Sequence, residues 1–377
     1  MDITPRDNLL RCLSCDDPQW PPVCPDLFPN QNPTKGIPSR LTDVFASSSS
    51  STKTLAGDIL KLGEYLGANE YMIPVDLPVA LRSDTCSERR EWIGADQEVS
   101  ILSTSLGDLR QLRRVPDGSP SLVTERYVKS ADDARKLASY FQSLSVEVSP
   151  KALQSIRTAR ETLGERGIIF CRPAGTPLGM CYRVYSDLTS LIYLIADEPV
   201  LMGDLFACME EKYLELLERM LIESPQIDAF FGMDDTSTTV ISPAMFETFN
   251  VELTNRRADL CHSFGKLYLH HSCGLIHDLL PVYRRTRMDG VDAFTPPPIG
   301  DVGYAEGREL LGRGYSIRTG LANGLESLDK DAIHRHVANR LHDASLAGNV
   351  AFQTGGAHLT FPAMEMIYAE ARRIRSC

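Results

Sequence analysis

The chain has 377 residues, 43% of them hydrophobic, and a formal net charge of -11 at pH 7. That length is enough for one large domain or two ordinary ones, and eight-stranded α/β barrels use it as a single unit. Acidic residues are spread along the chain, which argues against general nucleic-acid or anionic-membrane binding, and no apolar run reaches the roughly 18 residues of a membrane span.

The first stretch reads as a helical extension over residues 1–65. Thr4 is placed to cap a helix with Pro5 at its first position, and Leu9, Leu10 and Leu13 give that helix an apolar face. Asp17-Pro-Gln-Trp-Pro-Pro22 ends it and starts an extended segment. Ser47 to Ser51 read as a loop. The opening Met1-Asp-Ile-Thr-Pro-Arg lacks the basic and apolar regions of a signal peptide. The ten cysteines follow no regular spacing, so reduced thiols and a cytoplasmic location are expected. Cys12 and Cys15 form a CxxC in a helical stretch and read as structural thiols.

From residue 66 the chain alternates. Strand-like apolar segments are expected at Glu70–Val75, Gly167–Cys171, Ile227–Phe231, Lys266–His270, Gly290–Phe294, Tyr315–Thr319 and Asn349–Gln353. Amphipathic helical stretches lie between most of them, at Pro199–Ile222, Pro243–Phe264, Leu275–Arg287, Leu328–Ala347 and Pro362–Arg375. Alternating strand and helix predicts a parallel sheet. Seven countable strands and an eighth without an assigned place fit a (β/α)8 TIM barrel over residues 66–377 better than an open sheet. Residues 98–128 break the rhythm and read as a β-hairpin insertion, with turns at Gly107-Asp and at Asp117-Gly-Ser-Pro.

In such a barrel the chemistry sits at the C-terminal ends of the strands. Reading those ends gives Asp76, then Arg172 and Thr176, then Asp234 and Asp235, then His270, His271 and Cys273, then Arg318 and Asn323, and finally His358. Side chains alternate along a strand, so His271 and Cys273 share a face and Ser272 takes the other. An imidazole and a thiol side by side suit zinc. Asp76, Asp234 and Asp235 are the candidate catalytic carboxylates, with Asp234 or Asp235 also open to ligating a metal or binding substrate. Arg172, Thr176, His270, Arg318 and Asn323 are candidate substrate contacts, and His358 is a candidate further ligand.

These motifs in this order resemble the uroporphyrinogen decarboxylase superfamily over essentially the whole chain. They are Thr4-Pro-Arg-Asp-Asn-Leu-Leu-Arg11, Pro18-Gln-Trp-Pro-Pro22, Thr176-Pro-Leu-Gly179, Asp234-Asp-Thr-Ser237 with Ile241-Ser-Pro-Ala-Met-Phe246, and His271-Ser-Cys-Gly274 with Leu279-Leu-Pro281. The resemblance implies a (β/α)8 barrel with its cleft at the C-terminal face, and it allows a homodimer. True decarboxylases of the family carry an arginine-rich segment near the N-terminus for the substrate carboxylates. Pro22-Val-Cys-Pro-Asp-Leu-Phe-Pro29 stands there instead, although Asp76 matches the position of the family's aspartate. The other branch comprises corrinoid-dependent methyltransferases that bind zinc through His-x-Cys and a later Cys. His271 and Cys273 match the first two ligands, while Thr354-Gly-Gly-Ala357 stands where the third would be. His358, Asp234 or Asp235 are the candidates to complete the set. The resemblance therefore implies a methyltransferase that works with methylcobalamin on a partner corrinoid protein and a small methyl acceptor or donor. The alternatives are a tetrapyrrole decarboxylase and a non-catalytic corrinoid- or tetrapyrrole-binding protein.

Overall fold

The computed structural model describes residues 3–27, 36–46, 55–116, 121–321, 329–354 and 360–375. They divide into two compact units, one formed by Met1–Pro78, Pro150–Pro173 and Glu223–Cys377, the other by Val79–Ser149 and Ala174–Ile222.

The first unit is a nearly closed barrel of eight parallel strands. They are β1 (Val23–Cys24), β2 (Tyr71–Val75), β3 (Gly167–Cys171), β4 (Ala229–Thr236), β5 (Leu267–Ser272), β6 (Gly290–Phe294), β7 (Ser316–Gly320) and β8 (Val350–Gln353). Each pairs with its sequence neighbour from β2 round to β8, and β8 pairs in turn with β1. The strand with no place in the sequence reading is β1, and it lies inside the stretch expected to be a helical extension. At the remaining seam between β1 and β2, Glu70 accepts a hydrogen bond from the Val23 amide at 2.9 Å and one from the Trp20 indole at 3.2 Å.

The expected first helix, α1 (Pro5–Leu13), forms as read, with Thr4 Oγ1 accepting from the Asp7 amide at 3.1 Å. Its apolar face stops the floor of the barrel. Leu9, Cys12 and Leu13 pack with Met72, Ile168, Phe170, Ala229, Phe231, Leu269 and Ala351. Asp228, just before β4, ties this floor together: it accepts from Arg6 of α1 at 2.6 Å, from Arg160 at 3.0 Å and from the Ile169 amide at 2.9 Å. Every residue of β3 is buried, as a parallel strand covered on both faces requires.

The helices form largely where periodicity puts them, but Pro243–Phe264 is broken at Asn250 into Pro243–Phe249 and Val251–Ser263. Leu275–Arg287 holds only a 3-10 turn, His277–Leu279, and the short helix Leu280–Tyr283.

The second unit is larger than the expected hairpin at 98–128. It contains a four-stranded antiparallel sheet of Ser87–Trp92, Gln97–Thr104, Gly107–Arg114 and Leu122–Glu125, and a separate pair, Val79–Arg82 with Ser145–Val148. The first expected turn falls at Ser105–Leu106, and Gly107 opens the returning strand. The second, at 117–120, lies outside the described residues, as does the serine run from Ser47. Phe141 anchors this unit's core, its ring edge-on to Tyr140, Tyr185 and Tyr213. No helix among the described residues is long and apolar enough to cross a membrane.

Candidate metal centre

Above the apolar floor the barrel interior turns polar in steps. Phe170 and Phe231 stack with ring centroids 4.5 Å apart, and the Arg318 guanidinium lies 5.3 Å from each. Arg318 is wholly buried. It donates to Asp292 through Nη1 and to Gln353 through Nη2, and Asp26 lies 3.7 Å away. Asp292, also wholly buried, accepts from His271 Nδ1 at 2.6 Å. His271 Nε2 then points at Asp235 Oδ1, 2.9 Å away.

The pleat of β5 explains half of this arrangement. His271 and Cys273 continue the inward row of Leu267 and Leu269, while His270 and Ser272 face the surrounding helices. There Ser272 Oγ meets the Tyr283 hydroxyl at 2.7 Å and the His270 ring meets Phe246 edge-on. A bulge in β4 supplies the other half. Gly232 pairs with His270, but the next pairing is Thr236 with Ser272, so β4 spends two extra residues over the same rise. Asp235 takes φ +51 within it. A left-handed backbone costs an L-residue about 1–2 kcal/mol, and aspartate tolerates it better than most. The bulge sets Asp235 level with His271. A second register shift, with Ala293 at φ +64, follows Asp292 on β6. Gly274, at φ +83, turns the chain away directly after Cys273.

Asp235, His271 and Cys273 thus bring a carboxylate oxygen, a ring nitrogen and a thiol sulfur within 4.8 Å of one another. They line a cavity of about 580 Å3 whose walls include Ser237, Leu275 and Ile299. The electrostatics beneath are strong. Burial alone would depress the His271 pKa, but the Asp292 charge and the ring's hydrogen bonds to Asp235 and Asp292 and with Cys273 hold it well above the usual imidazole range. Burial would raise Asp292, yet the charges of Arg318 and His271 keep it far below the usual carboxylate range.

The donor set fits a zinc ion. One oxygen, one nitrogen and one sulfur are three protein ligands, which leaves a fourth tetrahedral position for a substrate, the pattern of catalytic zinc sites. With Nδ1 held by Asp292, Nε2 is the nitrogen that would ligate a metal, which would displace the proton it shares with Asp235.

The other candidates fall elsewhere. Asp234 is wholly buried on the outer side of β4, 3.2 Å from His270 Nδ1. Burial, opposed by the Asp234 charge, holds the His270 pKa below the usual imidazole range. Arg172 lies over Phe170 at 4.7 Å. Asp76 is exposed and lines a separate cavity with Lys151 and Gln154. Thr176 caps the helix Pro177–Met180 in the second unit. Asn323 and His358 lie outside the described residues. In the CxxC, Cys12 is buried in the floor and burial pushes its thiol up strongly; the Cys15 thiol is pushed up to about 11 for the same reason. Sequence reading missed Asp292, Asp26 and Gln353. The available signal for Asp292 was an acid at the middle of the apolar run Gly290–Phe294.

The sequence matches no family model and no curated protein. Among solved structures, the fold is similar to that of a methyltransferase from Methanosarcina mazei, with a TM-score of 0.63 and 15% identity over 100% of both chains. A protein described as a vitamin-B12 independent methionine synthase from Listeria monocytogenes aligns over 93% of this chain and 98% of its own, with a TM-score of 0.45 and 10% identity. A pneumococcal exo-β-D-N-acetylglucosaminidase module aligns over 85% and 81%, at 0.40 and 10%. The first likeness is one of fold, and the other two are too loose to bear on the site.

Proposed function

We propose that this chain is a methyltransferase that moves a methyl group between a corrinoid protein and a small thiol acceptor, with zinc held by Asp235, His271 and Cys273. The observation that carries the reading is the triad itself, three unlike donors converging on one open cavity at the C-terminal rim. The motifs shared with the corrinoid-dependent branch of the uroporphyrinogen decarboxylase superfamily support it. The barrel fold shared with the Methanosarcina mazei protein agrees with it. Asp235 takes the part that a third cysteine takes in that branch.

A bound zinc would supply a Lewis acid that lowers the pKa of a coordinated thiol and so makes a thiolate nucleophile at neutral pH. The chain's own residues do the rest. Asp292 holds the Nδ1 proton of His271 and fixes the ring so that Nε2 faces Asp235 and Cys273. Arg318 balances the buried Asp292 charge. Leu275 and Ile299 give the cavity an apolar wall against which a small acceptor would be oriented. In the transfer, the acceptor sulfur forms a bond to the methyl carbon while the cobalt–carbon bond breaks and its electron pair stays on the corrinoid. In the decarboxylase alternative Asp76 would be the family's aspartate and would steady a protonated intermediate; its exposure beside a different cavity favours methyl transfer.

Metal analysis and turnover test the reading together. The purified protein should hold about one zinc per chain, lost in Cys273→Ala. Under anaerobic conditions it should consume methylcobalamin in the presence of a small thiol such as coenzyme M. Protein that transfers methyl groups without metal would refute the zinc role. Zinc-loaded protein that leaves methylcobalamin intact with every thiol offered would refute the transfer.

A further inference from the structure

The β4 bulge is held from behind on both sides of Asp235, and one side chain touches both flanks. His270 is wholly buried on the outer face of β5. Its Nε2 lies 2.8 Å from Thr236 Oγ1, and its Nδ1 lies 3.2 Å from Asp234 Oδ2 in a close, off-line contact. Those two residues are the immediate neighbours of Asp235. A neutral imidazole offers one donor and one acceptor, so a single ring can accept a hydrogen bond from the Thr236 hydroxyl at Nε2 and set its Nδ1 edge against the Asp234 carboxylate. The ring itself has little freedom, being edge-on to Phe246 at 5.4 Å and to Tyr283 at 5.7 Å. Thr236 is tied a second time through its carbonyl, which accepts from Ser272 Oγ at 2.8 Å and from the Cys273 amide at 3.2 Å.

We propose that His270 is a positioning residue: by holding Asp234 and Thr236 on the outer face, it locks Asp235 into its left-handed conformation and sets the carboxylate at ligating distance from His271 and Cys273. This deepens the metal-centre reading above and rests on it for its consequence. The logic is one of leverage. A bulge with two extra residues has several ways to relax, and an L-residue leaves positive φ unless its surroundings forbid it. Fixing both flanking side chains to one rigid ring removes those alternatives. Because His270 is covalently next to His271, the clamp also couples the placement of two ligands on different strands.

Two variants separate the parts. Thr236→Val keeps side-chain shape and leaves the His270–Asp234 pair, while His270→Phe keeps the aromatic packing and removes both polar contacts. In metal-free protein, amide hydrogen exchange of peptides covering 229–238 should quicken in Thr236→Val and more so in His270→Phe, with peptides of the barrel floor unchanged. Unaltered exchange at 229–238 in Thr236→Val would overturn the clamp. This measurement needs no metal, so a failure of the zinc reading leaves it standing. The second readout is cobalt(II) affinity in a double-mutant cycle. Thr236→Val should weaken cobalt(II) binding by about 10- to 100-fold. The same change made in an Asp235→Ala background should add nothing, because the ligand it positions is gone. An equal loss in both backgrounds would show a merely structural role and overturn the proposal. In the cobalt(II) spectrum, Thr236→Val should keep the Cys273 sulfur charge-transfer band and approach Asp235→Ala in its ligand-field bands.

Discussion

At the scale of single residues, the barrel interior is a stack of charges whose order matters more than their number. Asp292 sits between Arg318 and His271 with no exposure at all. An isolated carboxylate there would be prohibitively expensive to ionise, and the two cations make it the favoured form. Its function follows from that stability: a permanent acceptor at Nδ1 fixes which ring nitrogen His271 offers to the cavity. Asp292→Asn should therefore weaken zinc binding by about 10- to 100-fold with the fold retained, as read by competition against a chelator. Unchanged affinity would mean that the contact does not tune the ligand. The pair His271 and Cys273 was legible in the sequence because pleat alternation is a strict period of two. The same alternation separates Asp235, on the inner row after Phe231, from Asp234 on the outer, yet the sequence reading left both open because register across strands is invisible in one chain. Asp292 escaped because an acid inside an apolar run carries no motif until its neighbour strand is known.

At the scale of elements, the least conspicuous pieces close the barrel. The strand β1 is two residues long, too short for any hydrophobic period, and it was absorbed into an expected helical extension. Helix α1, by contrast, announced itself through Thr4, Pro5 and the leucine spacing, and the structure gives that face its purpose as the floor. Leu13 is wholly buried among the inward residues of the strands. Leu13→Ala should cost about 2–5 kcal/mol of unfolding free energy through lost burial and the cavity left behind, seen as a lower urea midpoint with unchanged slope. A smaller loss would mean that α1 is not an integral part of the barrel's fold. The helix expected over Pro243–Phe264 runs through a real interruption at Asn250: the second half buries Thr254, Asn255 and Arg257 beside Ala258 and Cys261, and only the backbone shows the join.

At the scale of the whole molecule, strand–helix alternation was enough to reveal the barrel, because that rhythm is a global property that survives errors at individual boundaries. The second unit was legible only as two unconnected pieces, a hairpin and the helix Pro199–Ile222, since its contribution is split between two separate stretches of chain, 79–149 and 174–222. Global stability should carry a signature of the buried charges at the barrel's centre. Burial, only partly offset by Arg318 and Arg172, pushes the Asp26 carboxyl up to about 6, against about 3.9 for an unperturbed aspartate. The native state thus binds more protons than the unfolded chain between about pH 4 and 6. Where the native state holds the extra proton, stability falls as pH rises. The contribution is fully present below about pH 4 and is lost once pH passes 6. Asp26→Asn removes this titration and leaves the others in place. The difference in unfolding free energy, variant minus wild type, should therefore shift in the variant's favour by on the order of 3 kcal/mol between pH 4 and pH 7. Parallel denaturation series at the two pH values measure it directly, and a difference that stays flat across that window would mean that Asp26 is ionised throughout and that Arg318 fully offsets its burial.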